Sequence, residues 1–150
     1  MADIEVATEI DAPPSRVFEI ELDTDAHAAS LASSRETSTT SSGQRLLVLG
    51  DDGTFRARHL GLWWTLTSRI TEFDRPTRFV DEQVRGPFVR MRHEHLFVAR
   101  PDGSTLMIDR MSFQAPLGVL GRLVDVVLAA YLRRLLQERA AYVKALAERA

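Results

Sequence analysis

His93-Glu94-His95 is the densest group of chemically capable side chains in the chain. Alternate residues of a strand share a face, so both imidazoles point the same way as Val89, Met91 and Phe97. Arg90, Arg92 and Glu94 take the opposite face, which reads as solvent, and the histidines therefore point inward. Pro101-Asp102-Gly103 follows. It suits a three-residue hairpin loop with glycine in the left-handed position of a bulge. That loop pairs Arg100 with Ser104, Phe97 with Met107, His95 with Asp109 and His93 with Met111. An inward histidine then faces an inward aspartate, whose carboxylate fixes the tautomer and raises the imidazole pKa.

Several kinds of chemistry fit His95 and Asp109. The ordinary one is a buried polar pair that satisfies itself and orders a wall, since buried polar groups are normally hydrogen-bonded. A tuned histidine beside a cavity also suits general acid–base work, which makes His95 and Asp109 the catalytic candidates. The same groups, with His93, can orient a ligand, because apolar sites use few polar contacts. His93, His95 and Asp109 would give a metal three suitable ligands. No fourth is evident and no cofactor fingerprint is present, so neither a metal nor a cofactor is expected.

Met91, Met107, Met111, Phe97 and Phe113 form an interior set of soft side chains that serve equally as core or as an adaptable ligand wall. If Gly86-Pro87 is a two-residue turn, Val84 faces Val89 and Glu82 faces Met91, placing the Glu82 carboxylate in the pocket beside His93. A slip of one residue sends it to solvent. Trp63 and Trp64 point opposite ways, one inward and one half-exposed.

The elements that must hold these residues follow from local pattern. Ile4 to Ile10 alternates as a strand. Pro14 opens a short helix, since proline is tolerated in a first turn, and a second runs from about Asp25 to Ala32. Ser33 to Ser42 is expected to be a strand leading through Gly43 into Gln44 to Leu49. Thr54 to His59 and Leu62 to Glu72 form a hairpin around Leu60-Gly61. Arg78 to Arg85, Phe88 to Arg100 and Ser104 to Phe113 are three further strands. Pro116-Leu117-Gly118 leads into one long helix from Val119, whose sheet-facing stripe is read as Leu123, Val127, Tyr131 and Leu135. Arg133, Arg134 and Arg139 read as a solvated face of that helix, with membrane-surface contact as the sharper option.

Consecutive strands joined by short turns are antiparallel, and the helix has the length to cover their apolar face. The expected fold is therefore α+β: a curved antiparallel sheet of about six to seven strands around the long helix, with two short helices after the first strand. At 150 residues one domain over 1–150 is expected. The net charge of −2 argues against a nucleic-acid binder. Cysteine is absent, which excludes disulfides and thiolate chemistry. The N-terminus carries acids where a signal peptide carries bases. The most apolar stretch, Val119 to Leu132, contains Arg122 and Asp125, so no integral membrane association is expected. The expected location is the cytoplasm and the expected state a monomer or homodimer.

The opening EIDAPPSRVFEI resembles the first strand and helix entry of the START-like (SRPBCC) superfamily, which has the helix-grip fold. TSRITEFDRPTRFVDEQVRGPFVRMRHEHLF and GSTLMIDRMSFQAPLGVLG resemble one bacterial branch of it, related to polyketide cyclase/dehydrase and lipid-transport-like proteins. The resemblance implies a pocket for an apolar or amphipathic small molecule such as a lipid, isoprenoid, polyketide or aromatic metabolite. It does not imply a reaction, because one fold hosts many functions. Ligand binding or carriage is the leading expectation, with Met91, His93, His95, Phe97, Met107, Asp109, Met111, Phe113, Glu82, Leu123, Val127 and Tyr131 as the binding set. A cyclase, dehydratase or hydrolase using His95 and Asp109 is the alternative, and a regulatory interaction module is a third reading.

Overall fold

The computed structural model describes residues 1–149. A seven-stranded antiparallel sheet, ordered β1-β7-β6-β5-β4-β3-β2, curves around a long C-terminal helix. Its strands are β1 (Ala2–Ile10), β2 (Thr37–Thr40), β3 (Asp52–His59), β4 (Leu62–Asp74), β5 (Arg78–Arg85), β6 (Arg90–Ala99) and β7 (Thr105–Gln114). Helices α1 (Pro14–Leu22) and α2 (Thr24–Ser30) follow β1, and α3 spans Gly118–Ala147. This is the helix-grip arrangement.

Alternation drives the sheet. In β6, Met91, His93, His95 and Phe97 are buried while Arg90 and Arg92 are exposed. The three-residue loop closes β6 on β7, with Arg100 N donating to Ser104 O at 2.9 Å and Gly103 left-handed at φ 86°. His95 consequently stands opposite Asp109, and Phe97 opposite Met107.

Proline at N1 starts α1, which buries Val17, Phe18, Glu21 and Leu22 on one stripe. Asp23 then caps α2, accepting from the amides of Asp25 and Ala26. The stretch after α2 differs from expectation: only Thr37–Thr40 pairs as a strand, and Gln44 to Leu49 is irregular. The latter is tied to the α1–α2 junction, Leu47 N–H donating to Leu22 O, Thr24 N–H donating to Arg45 O and Leu46 bridging Asp23.

The phase of α3 also differs. Leu123 and Val127 are 71% and 65% exposed, so neither faces the sheet. The buried stripe runs instead through Gly121, Asp125, Leu136, Arg139, Ala140, Val143 and Ala147. Two local contacts set this rotation. Asp125 Oδ1 accepts from Ala115 N at 2.8 Å, and Gly121 lies so close to the incoming chain that a Cβ would sit 2.6 Å from Pro116 O. The first half of α3 is apolar on both flanks, so spacing alone could not choose between them. Farther along, Arg133 and Lys144 donate to the Glu5 and Glu9 carbonyls of β1, and Arg16 of α1 binds the carbonyls of Leu146, Ala147 and Arg149. Among the described residues, no helix is long and apolar enough to cross a membrane.

Candidate functional site

Between the concave sheet and α3 lies a cavity of about 410 Å3. Its roof is the α3 flank Val124, Leu128, Tyr131, Leu132 and Leu135, and its walls include Ile70, Phe79, Met91 and Met111. These are apolar. The floor is not: Glu21, Asp81, His93, His95 and Arg139 all reach it.

The floor is one connected charge cluster. His95 Nε2 lies 2.8 Å from Asp81 Oδ2, and His93 Nε2 lies 3.1 Å from Asp109 Oδ1. His95 Nδ1 sits 3.2 Å from Asp109 Oδ1 and 3.4 Å from Glu21 Oε2, yet is hydrogen-bonded to neither. That contact is electrostatic, because distance without alignment makes no hydrogen bond. Arg139 Nη2 donates to Glu21 Oε2 at 2.8 Å. The His95 ring stacks between Phe79 and His93, with centroids 4.1 and 3.8 Å away.

Burial is the largest influence on each of these groups, and the neighbours decide the outcome. For His95, burial works against the imidazolium, but Asp109, Asp81 and Glu21 together hold its pKa well above the ordinary histidine value. For His93, burial and the adjacent charge on His95 both act downward, so it is the neutral ring of the two. Burial would raise Asp81, but His95 outweighs it and the carboxyl falls to about 2. Asp109 is likewise pulled down against burial by His93 and His95, and Glu21 by Arg139. The site is thus an imidazolium ringed by three carboxylates, with one guanidinium behind it.

Sequence reasoning placed some of these residues and missed others. Met91, His93, His95, Met111 and Tyr131 line the cavity. Asp109 stands behind the two histidines, its side chain 5% exposed. Phe97, Met107 and Phe113 pack into the core outside the cavity, Phe97 against Phe18 of α1 and Phe113 against Phe88. Leu123 and Val127 lie on the outer face of α3, as described. Glu82 is not in the pocket either. It pairs with Arg92 and Arg69 on the outer face, and Asp81 opposite His93 takes the inward position. The expected two-residue turn fails because the Gln83 side chain binds both the N–H and the carbonyl of Phe88, widening the loop by one.

Arg139, expected in solvent, is buried against Glu21. The missed Glu21 and Arg139 interrupt the apolar stripes of α1 and α3, and that was their only local signal. A second polar group lies farther along the cavity: His27 Nδ1 hydrogen-bonds the Glu36 carboxylate, and His59 Nδ1 meets the Tyr131 hydroxyl at 2.8 Å. Burial and the charge of Arg139 keep the His27 pKa low.

Asp81, His93 and His95, and separately Glu21, His95 and Asp109, present donor atoms close enough together to enclose a cation. Glu21 and Asp81 supply ligands that spacing could not reveal. Most of these donor atoms are engaged within the cluster, His95 Nδ1 being the exception.

No curated protein matches the sequence. Similar solved structures include the Zhui aromatase/cyclase from Streptomyces sp. R1128, with a TM-score of 0.79 at 16% identity over 99% of this chain and 94% of that one. TTHA0849 from Thermus thermophilus gives 0.75 at 16% identity, covering 98% of this chain and all of the other. A START superfamily protein from Mycobacterium smegmatis gives 0.71 at 15% identity over 96% and 98%. At such identities the likeness establishes the fold alone. The family described as polyketide cyclase/dehydrase and lipid transport matches residues 1–148, and the chain belongs to it.

Proposed function

We propose that residues 1–150 act as one ligand-binding domain whose cavity takes an apolar or amphipathic small molecule, apolar end under α3 and polar end on the charged floor. The observation that carries this reading is the cavity itself, with an apolar roof and walls above a charged floor that holds two incompletely bonded donors. His95 Nδ1 and Arg139 Nε are buried side-chain atoms without a hydrogen-bond partner among the described residues, and both residues line the cavity. Beside His95 Nδ1 stand only unaligned carboxylate oxygens of Asp109 and Glu21, at 3.2 and 3.4 Å, so this charged floor suits the polar end of a ligand better than the apolar end. The volume also falls in the range of about 300–1,000 Å3 found for sites that bury drug-sized ligands.

Family membership supports a ligand-binding role, and the ligand class is our reading of the walls. Native mass spectrometry of protein purified from cells tests it: a bound apolar species carrying an oxygen acceptor is expected. An apolar dye displaced by long-chain alcohols or polycyclic phenols, but not by the plain hydrocarbons, should report the same preference. A protein that binds neither dye nor cellular lipid would sink the proposal.

A second reading, a cyclase or dehydratase, is favoured by the state of His95. An imidazolium at the cavity floor is a proton donor, so it suits acid-assisted loss of water from a bound ligand. Turnover abolished by His95→Gln with dye binding retained would favour this reading over carriage.

A further inference from the structure

Most of the large apolar side chains that the fold leaves in solvent gather at one end of the molecule. Thr67 pairs with Arg85 and Arg90 with Gln114, so the β3–β4 turn, the β5–β6 turn and the β7–α3 loop all lie at the same end of the sheet. The hydrogen bond between His59 and Tyr131 ties the first of these to α3. Leu60, Leu62, Trp63 and Trp64 are exposed on the first turn, Val84 and Val89 flank the second, and Leu117, Val119 and Leu120 project from the third. Val119 is 83% exposed. Leu123, Val126 and Val127 continue the patch along α3. Leu60, Trp64, Phe88 and Leu117 also line the cavity, so this patch surrounds its mouth.

Arginines dominate the charges at that end. Arg56, Arg58, Arg85, Arg90 and Arg122 accompany the apolar side chains, and none makes an ion pair among the described residues. Arg56 instead lies 4.3 Å over the Trp63 ring. Glu82 of β5 stands in the ladder between Arg69 and Arg92, which pair instead with Asp52 and Glu72. The opposite end is different: Arg75 pairs with Glu19, Arg78 with Asp74 and Arg100 with Glu9, with Asp11 and Asp102 nearby.

We infer that the cavity-mouth end is a docking surface for an anionic lipid bilayer. Apolar loop tips enter the interface, tryptophans sit at headgroup level, and the unpaired arginines meet lipid phosphates. A second copy of the chain fits less well, because a two-fold contact sets the same surface against itself. Five unpaired arginines would then face five, and Glu82 and Asp3, the nearby carboxylates without an ion pair among the described residues, are too few to match them. The acidic turns at the far end point the molecule mouth-down on a negative surface. The inference goes beyond the ligand reading and does not rest on it, since its test uses no cargo.

Trp63 and Trp64 are the only tryptophans in the chain, so native emission reports on this end of the molecule, the cavity mouth included. The protein should co-sediment with phosphatidylcholine vesicles containing phosphatidylglycerol and should release in high salt. Emission should shift to the blue and be quenched by brominated acyl chains. Arg85→Ala and Arg90→Ala should each weaken partitioning about fivefold, the equivalent of about 1 kcal/mol per basic residue at an anionic surface. Val119→Ser with Leu120→Ser, both solvent-facing, should weaken it with the far-ultraviolet circular dichroism unchanged. Failure to bind, or equal binding to pure phosphatidylcholine, overturns the inference. So does a blue shift that follows protein concentration without vesicles, which would assign the surface to a second copy.

Discussion

Asp81 Oδ2 holds His95 Nε2 at 2.8 Å, whereas Asp109, directly across the ladder from His95, faces the other ring nitrogen at 3.2 Å and makes no hydrogen bond with it. The carboxylate that the register places opposite the histidine is therefore not the one that grips it most closely. Asp109 spends its hydrogen bond on His93, and His95 becomes the centre of a cluster rather than half of a pair.

Asp81→Asn and Asp109→Asn should each lower the His95 pKa. The sign of the stability effect follows from linkage. His95 is raised when folded, so its contribution is complete below the unfolded value of about 6.5 and fades as pH rises through the folded value. Asp81 is lowered to about 2 when folded. Its contribution is complete above the unfolded value of about 3.9 and fades as pH falls. Both substitutions should accordingly destabilise most between about pH 5 and 6.5. Histidine NMR titration checks the pKa and urea unfolding across pH checks the stability. An unmoved His95 resonance would show that these groups do not interact.

The register of β6 on β7 was legible because both of its determinants are local, namely the alternation from Arg90 to Phe97 and the Pro101-Asp102-Gly103 loop. The β5–β6 register was not, because it turns on a side chain: Gln83 occupies Phe88 and slips Glu82 outward. The α3 phase was hidden for a related reason. Its buried stripe contains Gly121, Asp125 and Arg139, which any apolar count assigns to solvent. Glu21 and Arg139 are 118 positions apart, and only the closed fold brings them together.

Leu136→Ala and Leu123→Ala test the helix phase directly. Leu136 is buried and Leu123 exposed. Truncating the first should cost about 2–5 kcal/mol, and truncating the second should stay within about 0.5 kcal/mol. Denaturant titration of the two variants settles the rotation, and the reverse order of costs would put Leu123 on the sheet side.

Gly121→Ala should destabilise, against the usual rule that alanine in a helix gains about 1 kcal/mol over glycine. The added methyl would lie 2.6 Å from Pro116 O and 3.1 Å from Ala115 O, both backbone atoms that cannot swing aside. Overpacking of this kind costs about 1–3 kcal/mol. A thermal midpoint equal to or above that of the wild type would mean that the loop into α3 yields more easily than its contacts imply.

Arg139→Met probes the support beneath the cavity floor. Glu21 and Arg139 are both buried and joined at 2.8 Å, so removing the cation leaves a carboxylate with burial as its dominant influence. Breaking a buried pair from one side costs about 3–5 kcal/mol. The Glu21 pKa should then rise above its unfolded value of about 4.3, so the loss should be smallest below about pH 4, where Glu21 becomes protonated in both proteins, and grow as pH increases. Replacing both partners, Glu21→Gln with Arg139→Met, removes the stranded charge and should recover part of the loss, since neutral replacement of a buried pair is often tolerated. Urea midpoints of the two variants across pH provide the measurement. A single-variant cost below about 1 kcal/mol, or one that does not change with pH, would mean that Glu21 is solvated and the floor is wet rather than sealed.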